Sequence, residues 1–146
     1  MPLTDDEHHR RLERLYAAAP VSRWYGATIA IADGRAEVRI RVRPEFHHAA
    51  NAVHGSVYFR ALDDAAFFAA NSRVRDTFVL TVSYTVHFVR PVTSGELRAV
   101  GRLVHASGRL FLAEAELLDE AGQLLGRGSG VFTRSSIPLD PAIGYA

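Results

Sequence analysis

Two parts of the sequence carry groups that could do chemistry: residues 51–56, which read Asn-Ala-Val-His-Gly-Ser, and Asp63. The apolar run that begins near residue 56 predicts a helix. The start of a helix offers free backbone N–H groups and a partial positive charge, which suit a developing oxyanion. Gly55 has no side chain to obstruct a carbonyl group that approaches those donors. The first part therefore predicts an oxyanion site.

Asp63 and its neighbour Asp64 have different predicted surroundings. Asp64 follows Arg60 by four residues, so a surface ion pair of modest energy accounts for it. Asp63 has apolar helical neighbours, namely Phe59, Ala66, Phe67 and Ala70. Burial raises the pKa of a carboxyl group, and such a carboxylate suits a base or a nucleophile. The alternative is a structural Asp that is hydrogen-bonded to a neighbouring strand.

The spacing of Gly55 and Asp63 limits how they can cooperate. Eight residues of α-helix span roughly 12 Å at about 1.5 Å per residue. One carbonyl carbon cannot lie within about 3 Å of both groups. If both act on the same bond, they must come from two copies of the chain, and a two-fold axis would create two such sites.

The composition narrows the class of protein. The chain has 146 residues, a formal net charge of +1 and no cysteine, so disulfides, thiolate catalysis and cysteine-bound metals are excluded. Its arginines are scattered, which argues against a nucleic-acid partner. The charged N-terminus does not read as a signal peptide, and no apolar run approaches the ~20 residues of a membrane span. We expect a cytoplasmic protein with no membrane association.

Turn residues and hydrophobic periodicity predict one α+β domain over residues 1–146 with its core at 21–134. Thr4 and Glu7 resemble a capping box for a short helix that ends at Pro20, and His8 and His9 are expected on its exposed face. Two strands are expected within 21–42, turning at Asp33-Gly34. A buried helix is expected at 56–71, then strands at 78–90, 96–106, 109–119 and 123–134, and an irregular tail at 135–146.

These elements suit an antiparallel sheet wrapped around one central helix, which is the hotdog fold. Gly126, Gly128 and Gly130 share one face of the last strand, where the absence of side chains would allow close packing. We therefore expect this glycine face to be the seat of the helix.

The sequence then reveals a family resemblance. The stretch HGSVYFRALDDAAFFAAN resembles the signature of hotdog acyl-CoA thioesterases, especially the PaaI-like branch of phenylacetate degradation. In that signature His-Gly-Gly is followed, after six residues, by a catalytic Asp; His54, Gly55 and Asp63 match it, and Ser56 replaces the second Gly. The later strands, from Thr81 through HFVRPVTSGELRAVGRL to VFTR, are similar as well, so the resemblance covers about residues 21–134.

The resemblance implies roles for individual residues. Asp63 would be the general base or nucleophile, and the Gly55 amide of a partner subunit would bind the oxyanion. His54 and an upstream Asn would position the thioester carbonyl, and Thr81 would orient the attacking water. The family's Asn usually lies six residues before the His, where this chain has His48, so that role is open between His48 and Asn51. A homodimer or a dimer of dimers is implied.

Other assignments are made from the residues themselves. Ser56 could cap the central helix. One or two of Phe67, Tyr58, Phe59 and Phe68 could line the acyl pocket. Arg90, Arg102, Arg109 and Arg127 are the arginines that could meet coenzyme A phosphates. A metal site at His47, His48, His54 and Glu45 lacks a matched ligand spacing, so neither a metal nor another cofactor is expected. Two other functions are weighed: an acyl-CoA-binding module without catalysis, and a hotdog hydratase or dehydratase.

Overall fold

The computed structural model describes residues 2–146, which form three helices, six strands and two short 3-10 turns. The helices are α1 (Asp5–Ala18), α2 (Pro20–Tyr25) and α3 (Gly55–Asn71). The strands are β1 (Thr28–Ala32), β2 (Arg35–Arg41), β3 (Thr77–Phe88), β4 (Glu96–Ser107), β5 (Leu110–Leu118) and β6 (Leu124–Pro138). The 3-10 turns are Pro44–Phe46 and Pro141–Ile143.

The six strands form one antiparallel sheet in the order β1-β2-β4-β5-β6-β3. β1 and β2 join at Asp33-Gly34 as predicted, and Gly34 has the positive φ of 67° that this turn requires. α3 packs against one face of the sheet, and most of its residues are buried. This is the predicted hotdog fold. β3 is left at one edge of the sheet.

The N-terminal region has two helices where the sequence predicts a helix and a strand. The Thr4 hydroxyl accepts a hydrogen bond from the Glu7 amide at 3.1 Å, which caps α1 as expected. Both strands expected within 21–42 are present, but the first begins only at Thr28, because residues 20–25 form α2. Pro20 occupies the first turn of this helix, where an N–H group has no helical acceptor and its loss is harmless. Gly26, with a φ of 66°, ends it.

The seat of α3 is a glycine on β4. A Cβ atom at Gly101 would collide with the backbone carbonyl of Ala65, so the absence of a side chain lets the helix backbone touch the strand. The glycine face predicted on β6 has another occupant at two of its three positions. Gly128 and Gly130 leave room for the ring of Tyr84, and only Gly126 lies against side chains of α3.

The two ends of the chain meet at the C-terminal end of α3. His8 is fully buried, its Nδ1 lies 2.7 Å from the Tyr145 hydroxyl, and its Nε2 lies 3.0 Å from the Asn71 carbonyl. His9 is buried as well, so the expectation of an exposed histidine pair is wrong. β6 continues to Pro138, which pairs with Thr77, so the irregular tail begins later than predicted.

Within residues 2–146, no helix is both long enough and apolar enough to cross a membrane.

Candidate functional site

Asp63 lies in the middle of α3 and faces the exposed edge strand. Its side chain is half-buried, and its Oδ1 accepts a hydrogen bond from the Thr81 hydroxyl of β3 at 3.0 Å. Thr81 itself is exposed. The sequence assigned both residues to one site, and they are in direct contact although 18 positions separate them in the chain.

Burial raises the pKa of Asp63 to about 6, mainly because the carboxylate loses solvation. The negative charge of Asp64 raises this pKa further, whereas the Thr81 hydrogen bond and the charge of Arg60 lower it. The group is therefore ionised near neutral pH yet more basic than an ordinary aspartate. A carboxylate with these properties can accept a proton from water or attack a carbonyl carbon.

Asp64 is held by two hydrogen bonds to one of its oxygens. Its Oδ2 accepts hydrogen bonds from the Tyr16 hydroxyl at 2.6 Å and from Nε of Arg60 at 2.5 Å. The ion pair with Arg60 is as predicted, but it is not at the surface, since each side chain is only 14% exposed. α1 covers it. Asp64 thus fastens α1 to α3, which leaves Asp63 as the carboxylate that is open to a substrate.

Beside Asp63 lies a cavity of about 170 Å³, here called the Asp63 cavity. It lies between the N-terminal helices on one side and α3 and β3 on the other. Its lining comprises Leu15, Tyr16, Ala19, Val21, Ser22, Arg60, Asp63, Asp64, Phe67, Phe68 and Phe78. Phe67, which the sequence proposed as a substrate contact, is among them.

The N-terminus of α3 is capped by a histidine. Nδ1 of His54 accepts a hydrogen bond from the Ser56 amide at 3.0 Å, and the Ser56 hydroxyl lies 2.8 Å from the same nitrogen. The helix begins at Gly55, and the predicted capping role of Ser56 is wrong, because its hydroxyl bonds to the capping ring. Since Nδ1 accepts from the backbone, a neutral His54 ring carries its proton on Nε2.

The Gly55 amide is a free donor within the described chain. It is the first residue of α3, so it has no acceptor inside the helix, and it has no hydrogen-bond partner elsewhere in residues 2–146. A Cβ atom at this position would lie 2.9 Å from the exposed ring of Phe88. The Gly55 amide is thus unpaired, and the Phe88 ring of β3 lies close to the backbone at this position.

Gly55 borders a second cavity of about 360 Å³, the Gly55 cavity. Two further residues that the sequence singled out, His48 and Arg90, line it. The complete lining is His48, Val53, Gly55, Tyr58, Phe88, Val89, Arg90 and Pro91. Asn51 is not part of it. Asn51 lies in the preceding loop, is exposed, and has the positive φ of 63° that asparagine tolerates in a tight turn.

The structure therefore groups the sequence-predicted residues into two sets. Asp63 and Phe67 line the Asp63 cavity, and Thr81 bonds to Asp63. Gly55, His48 and Arg90 meet at the Gly55 cavity, with His54 and Ser56 at the helix start beside it. Neither of these two cavities contains both Gly55 and Asp63, since two turns of continuous α3 separate them.

Sequence reasoning missed the contribution of the N-terminal helices to the site. Tyr16 had no predicted role at the site, yet its hydroxyl bonds to the residue next to Asp63. Val21 and Ser22 were missed because their segment was taken for a strand. The signal was present in Pro20 and Gly26, which are typical of the first turn and of the end of a helix, respectively.

The comparisons with known proteins agree with this geometry. The sequence model of the thioesterase superfamily matches residues 50–125, a segment that contains both Gly55 and Asp63. The chain belongs to the thioesterase superfamily. Hydrolysis of an acyl thioester is the reaction that this membership supports. Among curated proteins, no sequence matches the chain.

Solved structures of several proteins have the same fold. The PaaI protein of the Escherichia coli phenylacetic acid degradation operon aligns with a TM-score of 0.84 and 19% identity, covering 94% of this chain and 99% of its own. A mutant of the Thermus thermophilus phenylacetic acid degradation protein PaaI gives 0.73 and 24%, covering 80% and 100%. A conserved Pseudomonas aeruginosa protein gives 0.78 and 27%, covering 84% and 98%.

Proposed function

We propose that this protein hydrolyses an acyl-CoA thioester to the free acid and coenzyme A. The observation that carries the proposal is Asp63, a half-buried carboxylate with a raised pKa, a single hydroxyl donor and an adjoining cavity. It occurs on the same helix as the unpaired Gly55 amide, inside the segment that matches the thioesterase superfamily.

In the proposed reaction, Asp63 serves as general base or as nucleophile. As a base it takes a proton from water while the water oxygen bonds to the thioester carbon. The carbonyl oxygen becomes an oxyanion, which accepts a hydrogen bond from the Gly55 amide at the positive end of α3. Collapse of this intermediate breaks the carbon–sulfur bond and releases the coenzyme A thiolate, which then takes a proton. The mechanism uses water and requires no metal ion or redox cofactor.

The site is proposed to form between two copies of the chain. Asp63 of one copy and Gly55 of the other must approach a single carbon, because the helix holds them about 12 Å apart within one copy. The edge position of β3 supports this assembly. Leu80, Val82 and Phe88 on β3 are 43%, 59% and 60% exposed, and a long edge strand with exposed apolar side chains is prone to pair with another chain.

The Gly55 cavity is proposed to receive the coenzyme A side of the thioester. His48 and Arg90 would contact this part of the substrate, with the Arg90 guanidinium suited to a phosphate. His54 can donate from Nε2 to the thioester carbonyl, because its Nδ1 is occupied by the helix cap. Ser56 supports that ring, and Asn51 stays a candidate for positioning the carbonyl from the neighbouring loop.

The test is release of free thiol from a panel of acyl-CoAs by the wild type and by Asp63→Asn. Asn keeps the shape and can still accept the Thr81 hydrogen bond, but it cannot act as a base. We expect kcat to fall by roughly 10²–10⁴-fold with the fold retained. Unchanged turnover by folded Asp63→Asn would contradict the mechanism. Tight binding of acyl-CoA without turnover by the wild type would favour a binding module, and an enoyl product would indicate a hydratase.

A further inference from the structure

We propose that Tyr84 is a positioning residue for Asp63: its hydroxyl ties β3 to α3 and thereby holds the Thr81 hydroxyl against the Asp63 carboxylate. The consequence for turnover rests on the proposed function, since it assumes that Asp63 acts on a thioester. The consequence for the pairing of Asp63 with Thr81 does not, because that pairing is present whatever the reaction is.

A β-bulge in β3 brings Thr81 and Tyr84 to the same face of the sheet. Residues three positions apart point to opposite faces of a regular strand. In β3, however, the register with β6 shifts between Thr81 and Ser83, and Val82 is an extra residue that does not enter the pairing. Thr81 and Tyr84 consequently both face α3. A strand without this bulge would present only one of the two hydroxyls to the helix.

The two hydroxyls bind neighbouring residues of α3. The Thr81 hydroxyl donates to Oδ1 of Asp63 at 3.0 Å, and the Tyr84 hydroxyl donates to the Leu62 carbonyl at 3.1 Å. A carbonyl oxygen has two lone pairs, so Leu62 can accept this bond in addition to its helical one. Burial and the negative charge of Asp63 raise the pKa of the Tyr84 phenol, so it keeps its proton and stays a donor near neutral pH. This bond therefore fixes the distance between β3 and α3 at the residue next to Asp63.

The ring of Tyr84 is closely packed between the sheet and α3. Gly128 and Gly130 of β6 leave room for it, and a Cβ atom at either position would collide with the ring. Phe59 of α3 meets the ring edge-on, with the two centroids 5.7 Å apart. A ring packed on both sides has few other orientations, so its hydroxyl stays directed at Leu62.

β3 is also tied to α3 on the other side of Thr81. The side chain of Asn71, the last residue of α3, accepts a hydrogen bond from the Val79 amide at 2.9 Å and donates one to the Thr77 carbonyl at 3.1 Å. Thr81 thus lies between two points of attachment, Val79 and Tyr84. Because β3 is an edge strand and the bulge interrupts its pairing next to Thr81, these attachments hold Thr81 in place where the sheet alone does not.

The test is the pKa of Asp63, measured by NMR on protein with 13C-labelled aspartate, the signal being assigned by its loss in Asp63→Asn. Tyr84→Phe removes the hydroxyl and keeps the ring. We expect the Thr81 hydrogen bond to weaken and the pKa of Asp63 to rise above about 6, by less than in Thr81→Ala. Asp64 and Arg60, the other charged groups that act on Asp63, lie on α3 and are unchanged in these variants.

Combining Tyr84→Phe with Thr81→Ala shows whether Tyr84 acts through Thr81. The double variant should have the same Asp63 pKa as Thr81→Ala alone, because no Thr81 hydroxyl is left to position. Tyr145→Phe is the matched control. It also removes a phenol hydroxyl with a buried partner, His8, but at the C-terminal end of α3, and it should leave the pKa of Asp63 and kcat unchanged.

Turnover of an acyl-CoA gives a second readout. Tyr84 lines neither cavity, so Tyr84→Phe should leave KM unchanged. We expect kcat to fall roughly three- to tenfold, which is less than the 10²-fold loss that a misplacement of about 1 Å can cause. The acidic limb of the kcat/KM profile should move to higher pH together with the pKa of Asp63.

The outcomes separate this proposal from the proposed function. An Asp63 pKa that is the same in Tyr84→Phe and the wild type overturns the positioning role, and so does a shift of equal size with and without the Thr81 hydroxyl. A shifted pKa with unchanged kcat overturns the consequence for turnover. If the pKa responds as expected but the wild type hydrolyses no acyl-CoA, the positioning role stands and the thioesterase fails. Circular dichroism of each variant shows that a shift comes from a folded protein.

Discussion

The two halves of the proposed site differ in how completely one chain builds them. Around Asp63, the chain supplies a hydroxyl donor, an apolar cavity and a covering pair of helices. Around Gly55, it supplies an exposed helix start, a free amide and an open groove bordered by Phe88 and Arg90. One half is finished within the chain, and the other is open to solvent.

This difference explains why a shared site suits the chain. A hydrogen bond from the Gly55 amide stabilises an oxyanion more strongly when water is excluded, because the local dielectric constant falls. The Asp63 carboxylate is already partly desolvated, which raises its pKa. Placing the Asp63 side of one copy over the Gly55 side of another would remove both groups further from water.

The largest effect is expected from Gly55→Pro, which removes the amide hydrogen. Its Cβ atom would lie 2.9 Å from the exposed Phe88 ring, so Gly55→Ala, which adds the same atom and keeps the N–H group, is the control. Proline is favoured at the first position of a helix, and His54 already has the extended backbone, φ −64° and ψ 143°, that precedes proline. We expect kcat to fall about 10²–10³-fold, as when one oxyanion donor is lost. Steady-state kinetics with a saturating acyl-CoA measure it.

Mixing this variant with Asp63→Asn turns the same loss into a test of the shared site. After unfolding and refolding at equal amounts, about half of the dimers contain one chain of each kind, and each of these has one site with both groups intact. Activity should return to about a quarter of the wild-type value. If Gly55 and Asp63 act within the same chain, every site lacks one group and no activity returns.

A smaller effect is expected from Thr81→Ala, which tests how Thr81 controls the pKa of Asp63. The Thr81 hydrogen bond lowers the pKa of Asp63, so its removal raises that pKa further above about 6. Since Asp63 must be ionised to act, the acidic limb of the kcat/KM profile should move to higher pH. Thr81→Ser keeps the hydroxyl and should restore the wild-type limb. A limb that moves equally in both variants would show that the hydroxyl has no such role.

The smallest effect is expected on stability. The pKa of Asp63 is higher in the folded chain than in the unfolded chain, so the unfolded chain binds fewer protons between about pH 4 and pH 6 and stability falls as pH rises through that window. Above it the buried charge remains a cost. Asp63→Asn should therefore raise the free energy of unfolding at pH 8 by roughly 1–2 kcal/mol and leave it unchanged at pH 4. Urea titrations at the two pH values measure this difference.

The sequence was sufficient for the fold and for the family because both depend on strong local patterns. The apolar run around Asp63 made α3 recognisable, Asp33-Gly34 fixed the first hairpin, and His54, Gly55 and Asp63 carried the resemblance to the thioesterases. The superfamily and the hotdog fold are confirmed. The roles of the individual site residues stay predictions.

The features that sequence reasoning missed depend on contacts between distant parts of the chain. Nothing local to His8 shows that Tyr145 and the end of α3 will enclose it. The burial of Asp64 depends on its hydrogen bond with Tyr16, which is 48 residues away in the chain. The glycine face of β6 was expected to pack against α3, but at two of its three positions it packs against Tyr84. A glycine indicates that another group comes close to the backbone, but it does not indicate which group.

Gly101 gives the position of Asp63 an unexpected dependence. The backbone of α3 rests directly on β4 at Ala65, two residues beyond Asp63, where a single methyl group would force the helix to retreat by about 1 Å. A displacement of that size is enough to misalign a reacting group. The position of the Asp63 carboxylate thus depends on Gly101, which lies on the opposite side of the helix. Gly101 touches neither cavity and takes no part in the proposed chemistry. Because position 101 has a hydrogen in place of a methyl, α3 lies close to β4, and this contact fixes how far Asp63 lies from the sheet.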